Sequence, residues 1–525
     1  MNTTSSGPAH RDPTAAPAPE RDTRSVRASS RLVVGCFLFV CAYFVGIFPG
    51  APDANQRSHY QLLRAMAERG SSEISPELKD LGTHGDVAER EGRRYSDKAP
   101  GLSVASLPGY ALMRLFRPAP VSTQDWLVFY GARLLTVTLA VGVALFAFVR
   151  HATRVGPSPL LPLWLFALLF ATPLQVYARS FFSHAFAAAL LFLSFVWLTR
   201  REGALWAAAS GLAAGVAVSS EYPTVTIAVC LLVTAVWTRK PGELAAFVAG
   251  AAIPAALLAW YHAHNFGGVL SFPISSSEGF PELATRGVGG VSTPSLEAIA
   301  GLFADRAHGL LYFSPFLIAW PFVAGRALRR LRRRPEDTAI VLGPLLLVLL
   351  ISGFLPPHWR GGWCLGPRYL VAAFLLVFWL LALRFPEADR PLPRFLIAAG
   401  VAYGAGILAI AGSTFWMFPY ESWNPVRTVS IFMLRSGIVE YNLGVAAGLS
   451  PLTSLLPPLL AAGIAFVAAL RASGLPLSVR VGATALGAAA LLAILAIPPS
   501  PHAIESSHRE DLAGALAPAM RVGWR

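Results

Sequence analysis

Apolar runs follow one another along nearly the whole chain, at about 32–48, 125–149, 158–177, 182–199, 204–220, 222–238, 243–264, 308–325, 338–355, 367–383, 395–413, 452–470 and 481–498. Each is close to the length of α-helix that crosses a hydrocarbon core of about 30 Å. Only 14% of the residues are charged and 54% are hydrophobic, where a soluble chain carries about 25% charge. The alternation of a membrane β-barrel is missing. These runs predict an all-α polytopic membrane protein with about thirteen transmembrane helices.

The net charge of +14 raises the question of nucleic acid. Its distribution answers no: the arginines cluster in short gaps between apolar runs, as in cytoplasmic loops facing anionic lipid. No aromatic–basic groove accompanies them. Three of the four cysteines (Cys36, Cys41 and Cys230, with Cys364 outside) lie inside apolar runs without a CxxC pair, and read as small buried hydrophobes. Residues 1–31 are rich in Ala, Pro, Ser and Arg and predict a disordered cytoplasmic tail. The run that follows has no small-residue cleavage site and predicts an uncleaved first membrane helix.

The loops fix a topology. Arg11, Arg21, Arg24, Arg27 and Arg31 place the tail in the cytoplasm. The segment 102–116 is apolar but barely long enough to cross. If it crossed, Arg150, Arg200, Arg239 and the run from Arg326 to Arg334 would all lie outside. If it does not, all of them fall inside, together with Arg384, Arg394, Arg471 and Arg480. We therefore expect 102–116 to be a re-entrant or juxtamembrane helix in the first external loop, 50–124. The transmembrane domain then spans 32–498, and the tail 499–525 is external. Within the loop, His59, Leu62, Leu63 and Met66 recur at helical spacing, which predicts an amphipathic helix lying on the membrane surface.

This topology gathers the polar, aromatic sequence on one face. Asp53 and Arg57 follow the first helix. Tyr95, Asp97 and Lys98, with Asp86 before them, precede 102–116, whose N-terminus at Gly101 offers free N–H groups to a phosphate. His184 and Glu221 lie at external helix ends, where an unpaired carboxylate is costly. Arg368 follows a Gly-Gly and Gly-Pro turn and has the geometry for bidentate phosphate contact. His262 and His264 alternate at a helix end and are weak candidates for a divalent metal, without firm carboxylate spacing. No cofactor is otherwise expected.

On these residues the chain resembles the GT-C superfamily of integral-membrane glycosyltransferases, in the branch of protein O-mannosyltransferase-like and lipid A aminoarabinose transferase-like proteins. The likeness rests on Asp53 and Arg57 after helix one, the Tyr95-x-Asp97-Lys98-x-Pro100 segment, and the thirteen-helix layout. The chain is also similar to bacterial membrane proteins carrying Tyr-Ser-Asp-Lys-Ala-Pro-Gly and Gly-Gly-Trp-x-x-Gly-Pro-Arg-Tyr segments. The resemblance implies a multi-pass protein of the bacterial inner membrane with its working face periplasmic. It implies transfer of a sugar from a polyprenyl-phosphate donor to a glycan, lipid or protein acceptor, with inversion. It assigns the base to Asp53; Ala54 and Asn55 stand where the family has a second acid, so Asp97 and Asp86 compete for the role. His184 stands near the family's second periplasmic acid. Lys98, Arg57 and Arg368 would face the departing phosphate, with Tyr95, His184 and Glu221 lining the substrate site. A transporter would instead carry polar groups near the bilayer midplane; a non-catalytic envelope-assembly protein would keep the fold without the second acid.

Overall fold

The computed structural model describes residues 23–46, 53–117, 126–155, 160–285, 287, 290–306, 308–385, 390–419, 422 and 424–497. Most of the expected N-terminal tail and the whole of 499–525 lie outside the described residues. Every expected apolar run coincides with a helix. Seven are long and apolar enough to cross a membrane: α1 (Thr23–Tyr43), α5 (Leu127–Val155), α7 (Ser183–Arg200), α10 (Pro241–Phe266), α14 (Pro391–Gly412), α15 (Thr453–Ala472) and α16 (Leu477–Ala496). Six are shorter apolar helices: α6 (Leu161–Phe170), α8 (Ala204–Ser220), α9 (Tyr222–Thr238), α11 (Pro315–Leu328), α12 (Asp337–Ser352) and α13 (Arg368–Leu383). α1 begins at Thr23, before its apolar run, so part of the expected tail is helical.

All ten residues of α6 are buried, as is nearly all of α7. A helix apolar on every side belongs at the centre of a bundle, and here α6, α7 and α13 form it, joined by Trp164, Phe192, Phe378 and Trp379. α10 and α16 leave large apolar side chains outward, among them Ile253, Leu257, Val481 and Leu492, the surface that lipid would cover. α8 and α10 approach backbone to backbone: a methyl group on Gly211 would stand 1.9 Å from the Phe247 carbonyl oxygen. Small residues permit this closeness between apolar helices.

Three helices and a hairpin form the first polar segment: α2 (Ala54–Arg69), α3 (Ser75–Leu81), β1 (Val87–Arg90), β2 (Arg93–Ser96) and α4 (Gly101–Phe116). α4 belongs to neither group of candidate spans. It runs parallel to α2 along its whole length. Near their starts Ser103 Oγ donates to the His59 carbonyl at 2.8 Å, and near their ends Tyr110 and Arg114 both bond Glu68 at 2.8 Å. The two helices therefore pack side by side as one polar unit.

α2 departs from expectation. It does not lie on a surface by one apolar face, because Asn55, Gln56, Ser58, His59 and Gln61 are buried along with Leu62 and Leu63. Its polar side is enclosed by the hairpin and by Phe181, just before α7, and Gln56, Ser58 and Gln61 are held there by hydrogen bonds that water would otherwise supply. The two-stranded antiparallel hairpin was also not expected from the sequence. Its turn is Glu91-Gly92, with φ of 53° and 75°, the left-handed pair that a two-residue hairpin requires. The pairing register is Val87 with Ser96 and Arg90 with Arg93.

Candidate active site

The hairpin builds the first part of the site. Since Val87 faces Ser96, the next position outward sets Asp86 opposite Asp97. The hairpin base is fastened to α2 by Ser58 Oγ, which donates to the Asp86 carbonyl and meets Ser96 Oγ, both at 2.7 Å. Two buried carboxylates forced together need a cation, and the next residue provides it: Lys98 Nζ lies 2.9 Å from Asp86 Oδ2 and 3.0 Å from Asp97 Oδ1. Burial pushes all three towards neutrality, but the close pairing outweighs it for two of them. Asp86 is held below the ordinary carboxylate range by Lys98, and Lys98 is held above its ordinary value by the two acids. Asp97 is pushed up to about 6 by burial and the neighbouring Asp86. With one lysine between two carboxylates, the cluster retains a negative charge when all three are ionised.

Asp53 caps the N-terminus of α2, its Oδ1 accepting the Gln56 N–H at 3.2 Å. The Gln56 side-chain amide donates to Asp53 Oδ2 and, at 2.9 Å, to the Gly46 carbonyl. Its own carbonyl oxygen accepts the Phe181 N–H. Gln56 thus welds the end of α1, the start of α2 and the approach to α7 into one block. Burial pushes Asp53 up to about 6, against these hydrogen bonds and the positive charge of Arg57.

Facing these acids are two groups from the membrane helices. Glu221, between α8 and α9, accepts from Ser183 Oγ at 2.5 Å and lies 2.7 Å from His184 Nδ1. His184 Nε2 is buried without a hydrogen-bond partner. Arg368 opens α13. Its guanidinium lies 5.9 Å from the Phe182 ring centre and 5.1 Å from that of Tyr369, and its Nη2 donates to the Tyr369 hydroxyl at 3.3 Å. Its Nε is buried with no hydrogen-bond partner, and no carboxylate pairs with it among the described residues. Space for it is made at Gly361, where φ is +86° and a methyl group would stand 2.9 Å from Arg368 Nε. Only glycine combines that backbone with that clearance at little cost.

These groups line one cavity of about 1210 Å³. Asp53, Asp86, Asp97, Lys98, His184, Glu221 and Arg368 gather at its polar end. From there it continues between α8, α9 and α10, past Val218, Val225, Leu232, Ala251 and Leu258. Along α10 its lining runs from His262 to Phe247, about 22 Å at the rise of an α-helix. Phe272, Ile274, Phe280 and Leu283 cover the polar end from above. That cover is pinned to the hairpin by the Ala88–Ser277 bridge and by Arg94 on Glu278 at 2.8 Å.

Other expected site residues lie elsewhere. Arg57 and Tyr95 are outside the lining; Arg57 reaches towards Gly82, and Tyr95 packs on Phe266 with ring centres 5.4 Å apart. The N-terminus of α4 abuts α8, since a methyl group on Gly101 would meet the Ser219 carbonyl at 2.5 Å; of the 95–101 segment only Asp97, Lys98 and Ala99 reach the cavity. His262 lines it, but is spent on the Tyr222 hydroxyl at 2.9 Å and the Val269 carbonyl at 3.2 Å. His264 is exposed and stacked on Trp260, so the two histidines do not converge. No cluster of three or more His, Cys, Asp or Glu side chains suited to a metal occurs among the described residues. Sequence reasoning missed Asn55 and His59, which line the cavity from one face of α2. Their spacing of four was the available signal. Burial lowers the His59 imidazole to about 3, with Lys98 adding to the effect.

The structure is similar to two crystal structures of ArnT from Cupriavidus metallidurans, one bound to undecaprenyl phosphate and one in the apo state. Identity is 15% and the TM-score 0.44 in both. The first alignment covers 89% of this chain and 77% of that one, and the second 87% and 76%. No family model matches the chain, and no curated protein matches it. The grounds for assigning a chemistry lie in the chain's own residues.

Proposed function

We propose that this protein is a membrane glycosyltransferase that takes a sugar from a polyprenyl-phosphate donor and passes it to a hydroxyl acceptor at the polar end of the cavity. The observation that carries this reading is the form of the cavity. A half-buried guanidinium, its Nε enclosed and no carboxylate paired with it among the described residues, stands at one end, and an apolar channel about 22 Å long leads away from it between membrane helices. An amphiphile with a long hydrocarbon chain and an anionic head matches both parts. A cation partly withdrawn from water favours an anion that completes it, and a phosphate supplies bidentate acceptors for an arginine fork. Phosphate is also a leaving group that needs no proton, only charge stabilisation, which Arg368 would provide. Carboxylates and imidazoles opposite it offer a proton acceptor for the incoming hydroxyl. Direct displacement inverts the anomeric carbon. The face would be the external one, because the basic loops all lie at the other ends of these helices.

The test is binding by the purified protein in lipid nanodiscs. Undecaprenyl phosphate is expected to bind and undecaprenol, its uncharged counterpart, to bind far more weakly. Arg368→Gln should weaken the phosphate lipid by roughly 10- to 100-fold, the worth of a charge-assisted hydrogen bond. Equal binding of the two lipids would refute the site. Donor activity is read as free undecaprenyl phosphate released from lipid-linked sugars extracted from native membranes; binding without release would favour a lipid carrier or assembly protein.

A further inference from the structure

The resemblance places the base on Asp53, yet each carboxylate at the polar end is already committed. Both oxygens of Asp53 accept from Gln56, and Asp86 and Asp97 share Lys98. We propose that His184 is the group that takes the acceptor proton, with Glu221 as its positioning residue. This inference rests on the glycosyl-transfer reading above.

The geometry is that of an imidazole held for proton transfer. Glu221 Oε2 lies 2.7 Å from His184 Nδ1, which places the ring proton on Nδ1 and leaves the Nε2 lone pair free. Nε2 is buried and has no partner, and the residue lines the cavity. The ring cannot turn away, because Tyr177, Phe182 and Tyr369 surround it with centres 5.5, 5.9 and 5.6 Å distant. Phe182 and Tyr369 are also the rings that flank Arg368. The His184 ring and the Arg368 guanidinium therefore share two aromatic neighbours, and both residues line the same cavity. Of the other imidazoles lining the cavity, His59 has no carboxylate behind it among the hydrogen bonds and ion pairs described, His262 is bonded to the Tyr222 hydroxyl and the Val269 carbonyl, and His358 spends its Nε2 on Glu282 at 2.7 Å. In the step itself the acceptor O–H proton passes to Nε2 as the oxygen forms its bond to the anomeric carbon. The bond from that carbon to the phosphate oxygen breaks, and the lipid phosphate departs with the electron pair beside Arg368. Glu221 stabilises the imidazolium until the proton leaves to solvent.

The experiment compares wild type with His184→Gln, Glu221→Gln and Glu221→Asp, using undecaprenyl phosphate binding and its release from native lipid-linked sugars. Binding should stay within about threefold in His184→Gln, while release falls by roughly 10²- to 10⁴-fold. Glu221→Gln should lose less, and Glu221→Asp should recover part of that loss. The rate of wild-type release should rise with pH through the imidazole range, and this limb should vanish in His184→Gln; Glu221, Ser183, Arg368, Lys98 and His59 are the groups that bear on the ring. Should His184→Gln fail to bind lipid, wild-type protein decides the matter through diethyl pyrocarbonate. Carbethoxylation at His184, blocked by undecaprenyl phosphate, supports the assignment, and an unreactive His184 overturns it. Intact binding with release within threefold of wild type in His184→Gln also overturns it and leaves the glycosyl-transfer reading standing. Absence of release from wild type sinks both.

Discussion

At the residue scale the site is governed by how each buried charge is compensated. Lys98 neutralises two acids that the hairpin register forces together, so its removal leaves two carboxylates facing each other in a place poor in water. Lys98→Met should cost about 3–5 kcal/mol of stability, read as a lowered unfolding midpoint in detergent, and the double change to Asp86→Asn and Lys98→Met should recover part of it. Asp53 gives a pH signature. Its carboxyl is raised to about 6 in the folded chain, against about 3.9 in an unfolded one. Between those values the folded state holds the proton more tightly, so stability is greatest below pH 4 and falls as pH rises to 6. The whole effect is on the order of 3 kcal/mol. Thermal unfolding across that window should show the decline, and Asp53→Asn should lessen it, the remainder coming from Asp97, which is pushed up to about 6 as well. The acids, Lys98, His184, Glu221 and Arg368 were all legible as polar residues at one face. The pairing of His184 with Glu221, and the lack of a carboxylate beside Arg368 among the described residues, were not, because they depend on which helix ends meet.

At the scale of elements, the hairpin and the turn before α13 do the positioning. Glu91-Gly92 carries the left-handed backbone of the hairpin, and a β-branched residue there is strained. Gly92→Val should destabilise the hairpin by about 1–3 kcal/mol and loosen the alignment of Asp86 with Asp97; hydrogen exchange at 87–96 would register it. Gly361→Ala should push Arg368 from its place, weakening undecaprenyl phosphate binding more than it lowers the unfolding temperature. The hairpin had a readable signal, two short segments around Glu-Gly, but it was overshadowed by helical periodicity on either side. α2 was visible as a helix and misplaced as a surface one. Its pattern of polar and apolar residues is the same whether lipid or protein covers it, and only the buried partners of Gln56 and His59 reveal which.

At the scale of the molecule, the described helices place the acids, His184, Glu221 and Arg368 around one cavity, with the arginine-rich loops at the opposite helix ends. α4 pairs with α2 on the cavity side. Single cysteines at Lys79 and Arg117, in a background without the four native ones, should therefore react with an impermeant maleimide from the same side. A cysteine at Arg329 should react only from the other. Labelling of 117 together with 329 would overturn the juxtamembrane placement of α4.

The sequence by itself determined that this chain folds into an α-helical membrane bundle and roughly where its apolar helices lie, and it predicted which loops share a face. Those outcomes follow from hydrophobic length and from the sidedness of basic loops, both of which act locally along the chain. Tertiary structure alone decided which polar groups neutralise one another and which remain free. Lys98 looked like the phosphate ligand and is bound to two acids; Arg368 looked similar and is left unpaired. Lys98 finds its acids within its own hairpin, whereas the surroundings of Arg368 come from segments far apart in the chain, and the order of residues does not encode those distances.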